Sequence, residues 1–274
     1  VSTQSTWREE KHYMGCCFSK NGDSKASRVS RWRFTGIVAF RDSKLKSFPS
    51  EIFELGTAVR TVDLSNNKID SIPEEISKLA NLQRLIISSN VIRRLPISIQ
   101  RLQLLKVLTL DGNQISDLPD QIGHLTRLER FSISRNILTK LPETIGRFRN
   151  MLLLNVSNNK LMTLPDSIGS CSSLEELQAD DNVIEVLPTS LCQLARIKML
   201  SLNNNFVSKI PDGLLKNCRA LQNLSLHGNP ITSQKIQQME GFDEFESRRK
   251  QKYNKQIDSN VMMGSNALDE GVDL

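Results

Sequence analysis

Aromatic residues are scarce. Phe, Trp and Tyr make up only 5% of the 274 residues, so an interior of this size must be filled by Leu and Ile. Cysteine is sparse and irregular: Cys16, Cys17, Cys171, Cys192 and Cys218. Five is an odd number, no C-x-x-C pair occurs, and no His stands at metal-ligand spacing from any of them. That pattern excludes a zinc module and a disulfide framework, and it fits reduced thiols. No apolar run approaches the roughly 18 residues of a membrane span. The first 30 residues hold no apolar signal-peptide core. Phosphate-cradling glycine motifs and the H-E-x-x-H pair are also missing. The three histidines, His12, His124 and His227, lie far apart in sequence. Nothing here assembles the nucleophile, base and orienter of a hydrolase, and an enzyme is not expected. No cofactor is expected either.

The charge is unbalanced, at +6. A mildly basic chain suits an acidic partner or an anionic membrane surface. Nucleic acid is excluded as the expected partner, because no aromatic residues interleave with the basic ones to stack bases.

Asparagine and proline, by contrast, are strictly placed. Asn67, Asn90, Asn113, Asn136, Asn159, Asn182 and Asn205 follow one another at intervals of 23, and Asn229 comes 24 later. Pro73, Pro96, Pro119, Pro142, Pro165, Pro188 and Pro211 keep the same beat, with Pro49 24 residues ahead of them. Each unit reads L-x-x-L-x-L-x-x-N-x-I/L-x-x-L/I-P, as Leu105, Leu108, Leu110, Asn113, Ile115, Leu118 and Pro119 illustrate. A period of this length marks a stacked array in which no unit buries its apolar face alone. The L-x-L segment is a short strand whose alternate residues face opposite sides. The recurring Asn sits where the chain turns off the strand, and its amide both donates and accepts. Pro fixes φ on the return path, where no ladder donor is needed. The return segment, such as Ile76-x-x-Leu79-x-x-Leu82, has helical spacing and is expected to form a short helix or helical turn.

This pattern resembles the leucine-rich repeat over residues 34–231, with Ser43 in place of Asn in the earliest unit. The return sequence Leu95-Pro96-x-x-Ile99-x-x-Leu102 is similar to the 23-residue intracellular Ras-group class. The glycine of the plant receptor version is absent, and Ser71 stands there in Ile69-Asp70-Ser71-Ile72-Pro73. The paired-cysteine caps of secreted members are absent too, which speaks against an extracellular recognition receptor. The resemblance implies an α/β right-handed solenoid, a horseshoe whose concave side is lined by about nine parallel strands. It also implies a non-catalytic binding module, and that the ladder Asn satisfies backbone groups otherwise buried unpaired.

The ends differ from the repeats. Residues 232–256 are rich in Gln, Lys, Arg and Glu. Ile236, Met239, Phe242 and Phe245 give an apolar stripe, expected to form a helical cap over the last core layer. The segment Met239-Glu240-Gly241-Phe242-Asp243-Glu244-Phe245 resembles that of a small cytosolic group close to leucine-rich-repeat-containing protein fifty-seven. Residues 257–274 are expected to be a disordered tail, as is the stretch 1–36. Within the latter, Met14-Gly15-Cys16-Cys17-Phe18-Ser19-Lys20 matches the N-myristoylation signal, provided Met14 initiates translation. One myristoyl chain anchors weakly, so a second signal is required. Cys16 and Cys17 stand where palmitoylation would supply it, and Lys20, Lys25, Arg28, Arg31 and Arg33 add a basic run. The repeat domain proper is read as residues 37–231.

Inside that domain the outward strand positions form columns. The first runs Thr61, Arg84, Val107, Arg130, Leu153, Glu176, Met199, Asn223. The second runs Asp63, Ile86, Thr109, Ser132, Asn155, Gln178, Ser201, Ser225. Val107, Leu153 and Met199 are apolar where polar residues would be ordinary, Arg84 and Arg130 are basic, and Glu175, Glu176, Asp180 and Asp181 make an acidic patch. An apolar centre with charged surroundings has the composition of a protein interface. The expected partner-binding residues are therefore Arg84, Val107, Arg130, Leu153, Glu176 and Met199. Cys171 and Cys218 fall in the apolar column of Leu79 and Leu125 and are expected in the core. The expectation is a monomeric scaffold or adaptor in cytoplasmic signalling, held at the inner face of a membrane. A regulatory subunit of a phosphatase or small-GTPase complex is the alternative, by analogy of fold.

Overall fold

A computed structural model describes residues 24–263 of the chain. Nine strands of three residues each form one parallel sheet in strict sequence order. They are β1 (Ile37–Ala39), β2 (Thr61–Asp63), β3 (Arg84–Ile86), β4 (Val107–Thr109), β5 (Arg130–Ser132), β6 (Leu153–Asn155), β7 (Glu176–Gln178), β8 (Met199–Ser201) and β9 (Asn223–Ser225). Parallel neighbours need a crossover. Here each crossover is one repeat, so the sheet grows by one strand per coil and every pair is in register.

The middle residue of each strand points inward. Val62, Leu85, Leu108, Phe131, Leu154, Leu177 and Leu200 are buried, as is the residue just past each strand, such as Leu64, Ile87 and Leu110. They meet the Leu and Ile of the return segments in one continuous core. Cys171 and Cys218 lie in it as expected, each with its Sγ 3.4 Å from a carbonyl of the preceding coil. Burial pushes the Cys171 thiol up to about 12 and that of Cys218 to about 11.

Most return segments are single 3-10 turns, among them Glu74–Lys78, Ile97–Arg101, Asp120–His124, Glu143–Arg147, Asp166–Ser170 and Thr189–Gln193. The ladder proline precedes each, with φ between −67° and −75°. Its carbonyl accepts the first i→i+3 bond, as from Ile76 N at 3.0 Å. Only the last return is α-helical, α2 (Leu214–Asn217), and this coil carries the extra residue that moves the Asn interval to 24.

Both ends of the stack are covered, which corrects two expected boundaries. Residues 25–35 are not a disordered tail. They form α1 (Lys25–Thr35), with Ser24 as N-cap accepting from Ser27 N and Gly36 at φ 70° closing the helix. Trp32 buries its ring against Phe40, edge to face at 5.1 Å. The Arg28 guanidinium lies over both rings at 5.9 and 5.8 Å, so this member of the basic run is a packing residue. At the other end α3 (Ser233–Gln237) is followed by α4 (Phe242–Met263), which runs past the expected end at residue 256. Ile236 and Phe245 are buried, with Met239 and Phe242 packed against the core, so the apolar stripe does cover the last layer. Arg248 completes the closure, its Nε and Nη2 donating to the carbonyls of Leu221 (3.1 Å) and Leu215 (3.2 Å). Gly15, Cys16 and Cys17 lie outside the described residues.

Candidate protein-binding face

The site begins with the ladder that shapes it. At Asn113, Oδ1 accepts from Ile92 N at 3.1 Å, while Nδ2 donates to Ile87 O and Leu110 O, both at 2.9 Å. Asn67, Asn90, Asn136, Asn159, Asn182, Asn205 and Asn229 repeat these bonds, each tying its own coil to the one before. All but Asn229 are buried. The residue ahead of the Asn turns the chain through left-handed backbone in every coil. Asn66, Ser89, Arg135, Asn158, Asp181 and Asn204 have φ of 53–57°, and Gly112 and Gly228 have 65° and 69°. The identities vary too much for sequence to have announced this position.

With the coils fixed, the open sheet face carries the expected row. Arg84 pairs with Val107, Val107 with Arg130, Arg130 with Leu153, Leu153 with Glu176 and Glu176 with Met199, one partner per strand. At about 4.8 Å per strand the six positions span about 24 Å. Arg130 is exposed and the other five are partly exposed. The row is bordered by ion pairs between adjacent coils, Lys106 with Glu129 at 2.8 Å and Lys198 with Glu175 at 2.7 Å. Between them stands Leu152, 37% exposed, in a column otherwise polar or charged: Arg60, Gln83, Lys106, Glu129, Glu175, Lys198 and Gln222. Ile86 adds a second partly exposed apolar side chain beside Arg84. Sequence reasoning singled out neither, although an apolar residue in a column of polar and charged ones was a readable signal for Leu152.

Not every outward position is outward. Asp63 is buried and holds Arg41 in an ion pair, and Ser201 is buried too. Asp111 Oδ1 accepts from Ser132 Oγ (2.6 Å) and Ser134 N (2.7 Å). Asp180 Oδ1 accepts likewise from Ser201 Oγ and Asn203 N, both at 2.7 Å. Burial raises the Asp180 carboxyl above its ordinary range, against the pull of those bonds. The acidic patch is thereby thinned. Glu175 is paired with Lys198, Asp180 is bonded to the next coil, and Asp181 accepts from Asn204 Nδ2 at 2.8 Å. Glu176, in the row itself, keeps its carboxylate clear of such partners among the described residues. A groove of about 540 Å³ lined by Ile210, Gly213, Ile231, Lys235 and Met239 lies at the C-terminal end, away from the row. Among the described residues no cluster of three His, Cys, Asp or Glu side chains is arranged for a metal ion. No helix there is long and apolar enough to cross a membrane.

The chain matches the family described as leucine-rich repeat region over residues 98–182, and leucine rich repeat over 39–92 and 57–115. It is 72% identical to Plant intracellular Ras-group-related LRR protein 7 of Oryza sativa subsp. japonica over 261 residues, covering 95% of this chain and 100% of the rice protein. The chain belongs to the plant intracellular Ras-group-related LRR family. An LRR repeats and ubiquitin-like domain-containing protein of Arabidopsis thaliana is 57% identical over 250 residues, 90% of this chain and 67% of that protein. Among solved structures the functional domain of InlJ from Listeria monocytogenes superposes with a TM-score of 0.64 at 21% identity, over 75% of this chain and 42% of that one, a likeness of fold. A plant intracellular Ras-group-related LRR chain is, at this level, a protein-interaction scaffold, built on a repeat typically used for binding rather than catalysis.

Proposed function

We propose that this chain is a signalling adaptor that grips a protein partner on its concave sheet face while N-terminal acylation tethers it to a membrane. The observation that carries the first half is the unbroken row Arg84, Val107, Arg130, Leu153, Glu176, Met199, in register across six strands. Its length suits a helix or loop of a protein better than a small metabolite. Apolar Val107, Leu152 and Leu153 supply a centre that a partner desolvates, and Arg130 and Glu176 supply charges of opposite sign to fix its register. Leu153→Asp places a charge in that centre, and position 153 faces away from the core, so folding is retained. The expected result is loss of captured partners from lysate, with Arg130→Glu giving a smaller loss and an altered salt dependence. Equal capture by wild type and Leu153→Asp sinks the assignment of this face.

The second half rests on Gly15, Cys16 and Cys17, at the spacing of a myristoylation signal with two thiols placed for palmitoylation. This half requires Met14 to be the initiator. In plant cells Gly15→Ala is then expected to move the protein from the membrane fraction to the cytosol. Cys16→Ser with Cys17→Ser weakens retention and leaves the myristoyl group in place. An intact mass showing an unacylated chain that begins upstream of Met14 defeats this half alone. The alternative, a regulatory subunit of a phosphatase or small-GTPase complex, draws on the Ras-group name of the rice relative. Capture of a small GTPase or a phosphatase catalytic subunit through the row would favour it.

A further inference from the structure

The N-terminal cap carries a feature that its packing role leaves unexplained. Phe34 is 92% exposed, more than any other large hydrophobic side chain among the described residues. It lies two positions after Trp32 on α1, about 200° around the helix, so when Trp32 faces the core Phe34 faces away from it. Arg33 precedes it, and Arg31 stands one turn back on the same outward side, both exposed. An exposed aromatic ring on a helix that lacks any acidic residue is a costly surface for a purely structural cap.

The charge around it is equally one-sided. Residues 24–46 contain seven basic residues and a single acid, Asp42, a local excess of six that equals the net charge of the whole chain. The remaining sequence is therefore neutral overall. Lys25 and Arg28 face Glu54 (4.0 Å) and Glu51 (3.6 Å), and Arg41 is held by Asp63. Arg33, Lys44 and Lys46 are exposed and form no ion pair among the described residues. The basic character is thus concentrated on one end of the stack, at the helix end that bears Phe34 and in the first coil. The acylation motif Met14–Lys20 ends four residues before Ser24, so a chain anchored there brings this end to the bilayer first.

We propose that the folded N-terminal cap is itself a membrane-docking surface for anionic phospholipid, with Phe34 entering the headgroup boundary and Arg31, Arg33, Lys44 and Lys46 meeting the lipid charge. Aromatic side chains favour this boundary, and basic residues near an anionic leaflet add attraction. Docking through the end coil leaves the long open face of the sheet beside the membrane rather than pressed against it. This deepens the membrane half of the proposed function but does not depend on the acyl chain. Acylation supplies the anchor, and the cap sets the orientation and supplies the second, weaker hold that a single lipid needs.

The test uses the full chain made in bacteria, without an N-myristoyltransferase, so that no lipid is attached. Wild type is expected to co-sediment with vesicles containing 30% phosphatidylserine in phosphatidylcholine. It should not do so with phosphatidylcholine alone, and 0.5 M salt should release it. Arg33→Glu should lower the apparent affinity about fivefold or more, because a cation beside the anionic leaflet is replaced by an anion. Phe34→Ser should weaken it several-fold without changing its salt dependence. A phenylalanine-to-tryptophan exchange at position 34 should bind as wild type, with indole emission shifting further to the blue on vesicles than that of wild type, whose Trp7 and Trp32 set the background. Equal binding to neutral and anionic vesicles, or none to either, overturns the proposal, as does an unaltered affinity in Phe34→Ser. None of these outcomes bears on Gly15, whose test is the fractionation in plant cells.

Discussion

One carboxamide at Asn136 serves four backbone groups. Its Oδ1 accepts from Ile115 N at 2.9 Å, and its Nδ2 donates to Leu110 O (3.0 Å), Ile133 O (3.2 Å) and Ser134 O (3.0 Å). Two of these partners belong to the preceding coil, so the side chain replaces the sheet bonds that end with the strand. Asn136→Ala leaves an amide and at least one carbonyl buried without a partner, at about 1–3 kcal/mol for each such group. A loss of about 2–4 kcal/mol in urea unfolding is expected, against a change within about 0.5 kcal/mol for Lys160→Ala, an exposed residue with no side-chain bond. Equal midpoints for the two variants would mean the ladder is ornamental. This column was legible in the sequence because every coil but the first, which has Ser43, meets the requirement with one residue type: a short side chain that both donates and accepts. The position before it was not legible. There the requirement is on the backbone, at φ of 53–69°, and Asn, Ser, Gly, Arg and Asp all meet it at modest cost.

At the scale of the element, the return turns pack through a seam of small residues. A Cβ on Gly169 would collide with Ser190 O, and one on Gly123 or Gly146 would lie 2.6–2.7 Å from Thr144 or Ser167. Gln100 occupies the same column one coil ahead of Gly123, so the close approach is a property of the middle of the stack, not of the motif. Gly169→Ala is expected to cost about 1–3 kcal/mol by overpacking, while Gln100→Ala stays within about 0.5 kcal/mol. Paired melting curves decide it, and equal midpoints would show the turns free to slide apart. The period of 23 made the existence, number and register of strands and turns readable. It did not reveal that the turns are 3-10, because five residues between Pro and the next core Leu fit either spacing, and the choice is made by stacking. Helix α1 was missed for another reason. Its sequence, rich in Arg, Lys and Ser, buries one side chain fully, so no apolar stripe marks it. On the open face the six row positions were readable from the period, and so was apolar Leu152 in its polar column, but the burial of Asp63 was not. That burial depends on side chains one coil away, Arg41 among them.

For the whole molecule the consequence of stacking is that stability is nearly one-dimensional: each coil is held by its neighbours and the ends by their caps. At the first coil the cap is α1, whose grip is Trp32 on Phe40 with Arg28 over both rings. At the last it is α4, with Phe245 buried and Arg248 on two terminal carbonyls. Removing either grip exposes one core layer and leaves the packing in the middle of the array intact. Trp32→Ala removes about 3–5 kcal/mol of packing by the usual measure of a buried aromatic, but the loss is local to the edge. Amide exchange is therefore expected to quicken in β1 and β2, near Val38 and Val62, and to stay at wild-type rates in β6 and β7, near Leu154 and Leu177. The urea transition should broaden at its low end as the first coils fray before the rest. Asn136→Ala, in the middle, should instead divide the array and quicken exchange on both sides of the altered coil. Uniform loss of protection across all nine strands in Trp32→Ala would mean that the solenoid unfolds as a single unit. In that case the cap controls the partner-binding row as directly as it controls the first strand.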